Sequence, residues 1–132
     1  MKAYLSISYA QRKRRAPELA AMKEVLSEFG IETWVFVDQY SFEASQEKEM
    51  MKQATRDIDQ CDLLIAETSE KGIGVGIEVG YAKGKDKPVI YVREKNAEHS
   101  TTVSGISDFQ IAYADLADLK KQLFIIISKI VS

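Results

Sequence analysis

The stretch DLLIAETSEKGIGVGIEVGYAKGKDKPVIYV, residues 62–92, reads as strand, glycine-rich turn, helix and strand in direct succession. Asp62 leads into the short apolar run Leu63 to Glu67 (LLIAE), which has the length and composition of a buried strand. Three glycines follow, at 72, 74 and 76. The spacing then predicts a short helix from Val75 to Lys83, stopped by Gly84 and the polar residues up to Lys87. Pro88 opens the strand VIYV at its first residue, a position where proline is tolerated.

The same alternation continues outward in both directions. Ala3 to Ser8 (AYLSIS) reads as an opening strand. Pro17 suits the first turn of a helix, Leu19, Met22, Leu26 and Phe29 recur at helical spacing, and Gly30 is a C-terminal stop. Ile31 to Val37 (IETWVFV) is expected to be a second strand. Met50, Met51, Ala54 and Ile58 then mark the inner face of another helix, with Trp34 and both methionines in the core. Phe109 to Tyr113 reads as the last strand, and Leu116, Leu119, Leu123, Ile126 and Ile130 stripe the final helix. Phe124 and Ile125 carry the apolar surface of that helix around most of its circumference, so burial on more than one side is expected, preferentially against another subunit. Strands alternating with helices build a parallel sheet covered on both faces. The expected architecture is a three-layer α/β sandwich with a five-stranded parallel sheet in the flavodoxin-like order 2-1-3-4-5. Ligands of such sheets sit beyond the carboxyl ends of the strands, where the strand order reverses. In this chain that means the loops around Ser8 and around Glu67 to Gly76.

Composition bounds the function. A length of 132 residues has room for one domain, spanning 1–132. With 45% hydrophobic and 29% charged residues and a net charge of −2, the chain is no disordered segment. Eighteen basic against twenty acidic residues argue against nucleic acid as a partner. One cysteine, Cys61, and one histidine, His99, make neither an internal disulfide nor a His/Cys metal cage, so no metal and no cofactor is called for. No apolar run approaches the roughly 18–20 residues of a membrane span. The N-terminal MKAYLSISYA is too short in its apolar part for a signal peptide, so the expected setting is the reducing cytoplasm.

The glycine-rich turn lacks both the G-x-G-x-x-G fingerprint and the G-K-[ST] phosphate loop, yet it leads from a buried strand into a helix. Gly74 and Gly76 let the backbone approach a ligand, and a helix start offers free N–H groups to an anion. Glu78 stands two residues later, in the first helical turn if the helix begins near Val75. Helix N–H groups and dipole there favour its ionised form. An ionised, positioned carboxylate can attack a sugar carbon or stabilise an oxocarbenium-like centre. Equally, Glu78 is the acidic residue that any first turn favours. In the first loop, Arg12 of the cluster Arg12 to Arg15 is the cation best placed to reach a substrate phosphate, the others reading as a solvated face. Tyr9 either stacks on a base or packs at the strand end. Ser100, Thr101 and Thr102 form a run of hydroxyls suited to a phosphate. His99 is assigned no role.

On the element Gly74-Val75-Gly76-Ile77-Glu78-Val79-Gly80, set between an aspartate-led buried strand and the Lys87-Pro88-Val89 strand entry, the chain resembles the nucleoside 2-deoxyribosyltransferase family. The likeness is closest to its branch of 2'-deoxynucleoside 5'-monophosphate N-glycosidases. The resemblance implies cleavage of the bond between base and sugar in a nucleoside or nucleoside 5'-monophosphate, with Glu78 as the nucleophile and water or a second base resolving the glycosyl-enzyme. It implies that Ser8 lies in the substrate loop, and that Ser100 binds the 5'-phosphate by reaching across from a neighbouring subunit of a homodimer or higher homo-oligomer. The chain also departs from the pattern. Ile7 and Ala10 replace a glycine and an arginine, and Gly72 stands where the family has Ser or Asp, with Ser69 nearby. The aspartate expected eight positions before Asp62 is Ala54, which leaves Asp57 and Asp38 as candidates for the acid that protonates the leaving base. Two other readings stand beside this one. A TIR-like NAD glycohydrolase is faintly echoed by Ile7-Ser8-Tyr9-Ala10 and Glu32-Thr33-Trp34, and Ala54 would suit a nucleotide-binding module without catalysis.

Overall fold

A strand that is buried on both faces can sit only in the middle of a sheet, and the run Leu63–Glu67 (β3) does so with all five residues buried. The computed structural model describes residues 1–132. Four further strands flank β3: Lys2–Ser6 (β1), Glu32–Val35 (β2), Val89–Glu94 (β4) and Phe109–Tyr113 (β5). All pairings are parallel, in the order β2-β1-β3-β4-β5. The order reverses between β1 and β3, as the alternating pattern predicts.

Helices cover both faces. Ala16–Glu28 (α2) and Leu116–Val131 (α7) lie on one side, where Met22, Leu26, Leu119 and Leu123 pack onto Leu5, Ile65 and Val92. Glu47–Asp59 (α4) and Ile73–Gly84 (α5) lie on the other, where Ile58, Val75, Val79 and Ala82 pack onto Tyr4, Leu64 and Ala66. Successive strand residues point to opposite faces, so the alternation within β1 and β3 divides them between the two cores. Gly30 ends the α2 segment with φ +70°, the conformation that a helix stop favours in glycine. No helix is long and apolar enough to cross a membrane.

Several expected boundaries shift, each for a local reason. The opening strand ends at Ser6, not Ser8, because Ser8 already turns the chain into the four-residue helix Tyr9–Arg12 (α1). The second strand ends at Val35, and Phe36–Gln39 forms a single helical turn (α3). As an edge strand β2 has one partner, and its register with β1 runs out at Leu5 opposite Val35. Helix α5 starts at Ile73, two residues earlier than expected, after Gly72 in extended conformation. The hydroxyl-rich loop before β5 contains a short helix, Thr101–Ile106 (α6), because the Ser100 side chain accepts the Val103 N–H and caps it.

Trp34, Met50 and Met51 are half-buried rather than core, since Trp34 lies on the edge strand and α4 buries only Ala54, Asp57 and Ile58. On α7, Leu119, Leu123, Ile126 and Ile127 are buried, while Leu116 of the expected stripe is 41% exposed. Phe124 leans on Phe29 with ring centroids 5.0 Å apart, yet it and Ile125 remain 45% and 47% exposed. Within one chain α7 is therefore covered on one side.

Leu64 is fully buried between the sheet and the α4/α5 layer. Leu64→Ala should lower unfolding free energy by about 2–5 kcal/mol, read as a fall in the urea midpoint at unchanged slope.

Candidate active site

Period-two alternation puts Tyr4 and Ser6 on the same face of β1, and α5 crosses that face. Glu78, the sixth residue of α5, turns its carboxylate onto them. The Tyr4 hydroxyl donates to one carboxylate oxygen in a short hydrogen bond, and the Ser6 hydroxyl donates to the other at 2.7 Å. The expected position in the first turn is corrected here. With the helix beginning at Ile73, Glu78 falls in the second turn, beyond the free N–H groups, and two strand hydroxyls take their place. Its pKa is shifted accordingly. Burial pushes it above the usual carboxylate range, and the hydrogen bonds from Tyr4 and then Ser6 pull it back. Burial, reinforced by the neighbouring Glu78 charge, pushes the Tyr4 phenol far up, so Tyr4 remains a donor.

The starts of α5 and α6 enclose a cleft of about 330 Å³, whose walls include Thr68, Lys71, Gly72, Gly76, Ser100 and Thr102, with Glu78 two residues beyond Gly76 on the same helix and not among those walls. The cleft unites Gly76 and Ser100, which stand 24 residues apart in the chain. A Cβ added at Gly74 or Gly76 would meet nothing within 4 Å, so no neighbour within the chain demands glycine there and the space lies open. A Cβ at Gly72 would touch Ser8 at 3.6 Å, which places the first loop against the glycine-rich turn. Ser100 uses its side-chain oxygen to accept from the Val103 N–H at 3.3 Å, and its hydroxyl hydrogen stays available. Thr101 is exposed outside the cleft walls, and Thr102 takes that place. Lys71 pairs with Glu98 at 2.9 Å, joining the glycine-rich turn to the loop that precedes Ser100.

Other expected site residues lie apart. Tyr9 is 81% exposed, which overturns the packing alternative for it. Arg12 and Asp38 form a two-pronged ion pair, both hydrogen bonds at 2.7 Å, over a different cavity beside β2. Asp57 accepts from Trp34 Nε1 at 3.0 Å, Gln53 Nε2 at 2.9 Å and the Tyr40 hydroxyl at 3.3 Å, and so ties α4 to the edge of the sheet. Ala54 is buried in the α4 core. Ser69, near Gly72 in sequence, accepts the Glu94 N–H at 2.9 Å. Sequence reasoning missed Tyr4 and Ser6, although alternation along AYLSIS pairs them on one face. It missed as well the half-buried aromatic group Phe36, Tyr40 and Phe42, which adjoins Tyr4 with a Tyr4–Phe36 centroid distance of 6.3 Å.

The family model for nucleoside 2-deoxyribosyltransferase matches residues 3–121, which takes in both β1 and the glycine-rich turn to Glu78. The chain belongs to this family. Over 81 residues, 58% of the chain, it is 32% identical to a protein of Thermofilum pendens whose inferred activity is that of a 2'-deoxynucleoside 5'-phosphate N-hydrolase. The match spans 57% of that relative's length. Among solved structures, a CMP N-glycosidase of Clostridium botulinum superimposes with a TM-score of 0.68 at 19% identity, covering 95% of this chain and 99% of that one. A 2-deoxyribosyltransferase of Bacillus psychrosaccharolyticus superimposes with a TM-score of 0.67 at 15% identity, covering 91% and 90%. These two likenesses concern the fold.

The raised pKa of Glu78 makes it a cost to folding at neutral pH. Below the ordinary carboxyl value of 4.5 the folded and unfolded chains both carry the proton. Above it the unfolded chain ionises first, so stability falls until the folded carboxyl titrates too. Glu78→Gln should therefore match wild type in urea midpoint near pH 4 and exceed it increasingly as pH rises from 4.5. Equal midpoints across the range would contradict this electrostatic account.

Proposed function

We propose that this protein cleaves the N-glycosidic bond of a nucleoside 5'-monophosphate, with Glu78 as the nucleophile. The observation that carries the reading is the Glu78 carboxylate held at both oxygens by Tyr4 and Ser6, on the helix whose glycine-rich start lines the cleft. Two donors counter the effect of burial and fix the carboxylate's orientation, which an attacking group needs. One carboxylate oxygen attacks the anomeric carbon while the carbon–nitrogen bond breaks and its electron pair leaves with the base. Water then attacks the same carbon, releases the sugar phosphate and returns Glu78 to its carboxylate form, its proton passing to solvent. The base takes its proton from water in the open cleft. In this reading Ala54 supplies no acid, and Asp38 and Asp57 keep their structural partners.

A monophosphate is favoured over a free nucleoside because the cleft combines the Ser100 and Thr102 hydroxyls with the Lys71 ammonium, which reaches a phosphate by exchanging it for Glu98. Ser8, which adjoins Gly72, is assigned to the sugar, and the exposed Tyr9 contacts a base only by turning toward the cleft. Arg12 reaches a phosphate only by giving up Asp38. The expected setting is the cytoplasm, and the expected assembly is a homodimer that covers the exposed Phe124 and Ile125. Transfer to a second base in place of water uses the same glycosyl-enzyme. Ala54 favours one rival, a nucleotide-binding module without catalysis.

Chromatography of a panel of ribo- and deoxyribonucleoside monophosphates, their nucleosides and NAD should show base release from a monophosphate. Glu78→Gln should lower the rate at least about a thousandfold. Nucleotide binding without release would establish the non-catalytic module, and release from NAD alone the glycohydrolase. Light scattering should give twice the 14.9 kDa chain mass, reduced to one chain by Phe124→Glu with Ile125→Lys. A monomeric wild type would sink the dimer.

A further inference from the structure

Tyr91 sits in the middle of β4, 1% exposed, on the sheet face that carries the α5 core. Strand positions of this kind ordinarily hold aliphatic residues, and a buried hydroxyl there must find partners. This hydroxyl finds none in the sheet; both lie in the loop beyond the strand. The backbone N–H of Ser100 donates to it at 2.9 Å, and it lies 3.1 Å from Nδ1 of His99. The phenol oxygen thus accepts from the Ser100 N–H and shares a second hydrogen bond with Nδ1, in which either atom can donate.

We infer that Tyr91 is a positioning residue for the phosphate end of the substrate, fixing through its hydroxyl the backbone of Ser100 at the wall of the cleft. The assignment rests on the functional reading above and adds a residue to it. The loop is gripped from the same strand a second time, for Arg93 donates from one terminal nitrogen to the carbonyls of Lys95 and Ala97, both at 3.1 Å. Arg93 thus shapes the start of the loop and Tyr91 its end. Ser100 is consequently held at its N–H by Tyr91 and at its side-chain oxygen by the Val103 N–H, which leaves the hydroxyl hydrogen as its one free donor. A wall ordered before the ligand arrives spares the binding step the entropy of ordering it. Tyr91 touches no substrate and acts through Ser100.

Tyr91→Phe preserves the ring in the core and removes the hydroxyl alone. Amide hydrogen exchange at Ser100 should quicken in this variant. KM for the cleaved monophosphate should rise roughly three- to tenfold with kcat within about twofold, and KM for the corresponding nucleoside should stay unchanged. His99→Ala keeps the Ser100 N–H bond and should remain within about twofold of wild type on both substrates. Unchanged exchange at Ser100, an equal rise in KM for nucleoside and monophosphate, or an effect of His99→Ala as large as that of Tyr91→Phe would overturn the assignment. A wild type that cleaves no monophosphate fails the functional reading instead, and the Ser100 exchange rate then decides the role of Tyr91 alone.

Discussion

The carboxylate of Glu78 lies against a sheet face, and the rest of the site depends on the two hydroxyls that hold it there. A buried carboxylate is tolerated only where donors compensate for lost water. Tyr4 and Ser6 are those donors, and both come from one strand at a spacing that alternation alone guarantees. For the contact to exist, β1 must lie next to β3 in the sheet, and α5 must cross back over the face on which Tyr4 and Ser6 point. The strand order reverses between these two strands, and the loops that follow them, around Ser8 and Gly72, adjoin at that point.

Charge is distributed in keeping with this. On the Glu78 side of the sheet the carboxylate meets hydroxyls and no cation among its hydrogen-bond partners. On the opposite face, at the end of the same central strand, Glu67 is 3% exposed and is held differently. It accepts from the Ser69 N–H at 2.6 Å and from the Tyr113 hydroxyl at 3.3 Å. Close by, Arg15 bridges Glu18 and Glu94 at 3.0 and 3.1 Å. That second group closes the far side of the strand ends and ties α2 to β4. The molecule thus carries two glutamates at the carboxyl end of its sheet, Glu67 buried and Glu78 half-buried. The first is enclosed within a network of the chain's own making, and the second is held only by the two hydroxyls of β1.

The departures from the family pattern also have structural content. Where an aspartate is expected, Ala54 fills the α4 core, and the nearby Asp57 is drawn to Trp34, Gln53 and Tyr40 on the edge of the sheet. At Gly72, which stands in place of a hydroxyl or carboxylate, an added Cβ would make ordinary van der Waals contact with Ser8, so the turn has room for the side chain it lacks. The cleft therefore relies on Lys71 and on the hydroxyls of α6 for its polar character, not on the first residue of the glycine-rich turn.

The layer architecture and the glycine-rich turn with Glu78 just behind it were legible in the amino-acid pattern, and the strand order is the common one for such a sheet. The first two follow from local rules: short apolar runs, helical stripes, and glycines between strand and helix. What sequence could not supply was the register between distant segments. The helix start at Ile73 moved Glu78 by two positions within its helix, and so exchanged helix N–H groups for the hydroxyls of Tyr4 and Ser6, more than seventy residues away. In the same way Arg12 and Asp38, each plausible alone as a site residue, were found to be each other's partners, and Ser100 was found to be anchored by Tyr91. Local pattern fixes which face of an element is apolar, because that depends on periodicity. Which polar side chains meet across two elements depends on how those elements pack, and only the tertiary structure decides it.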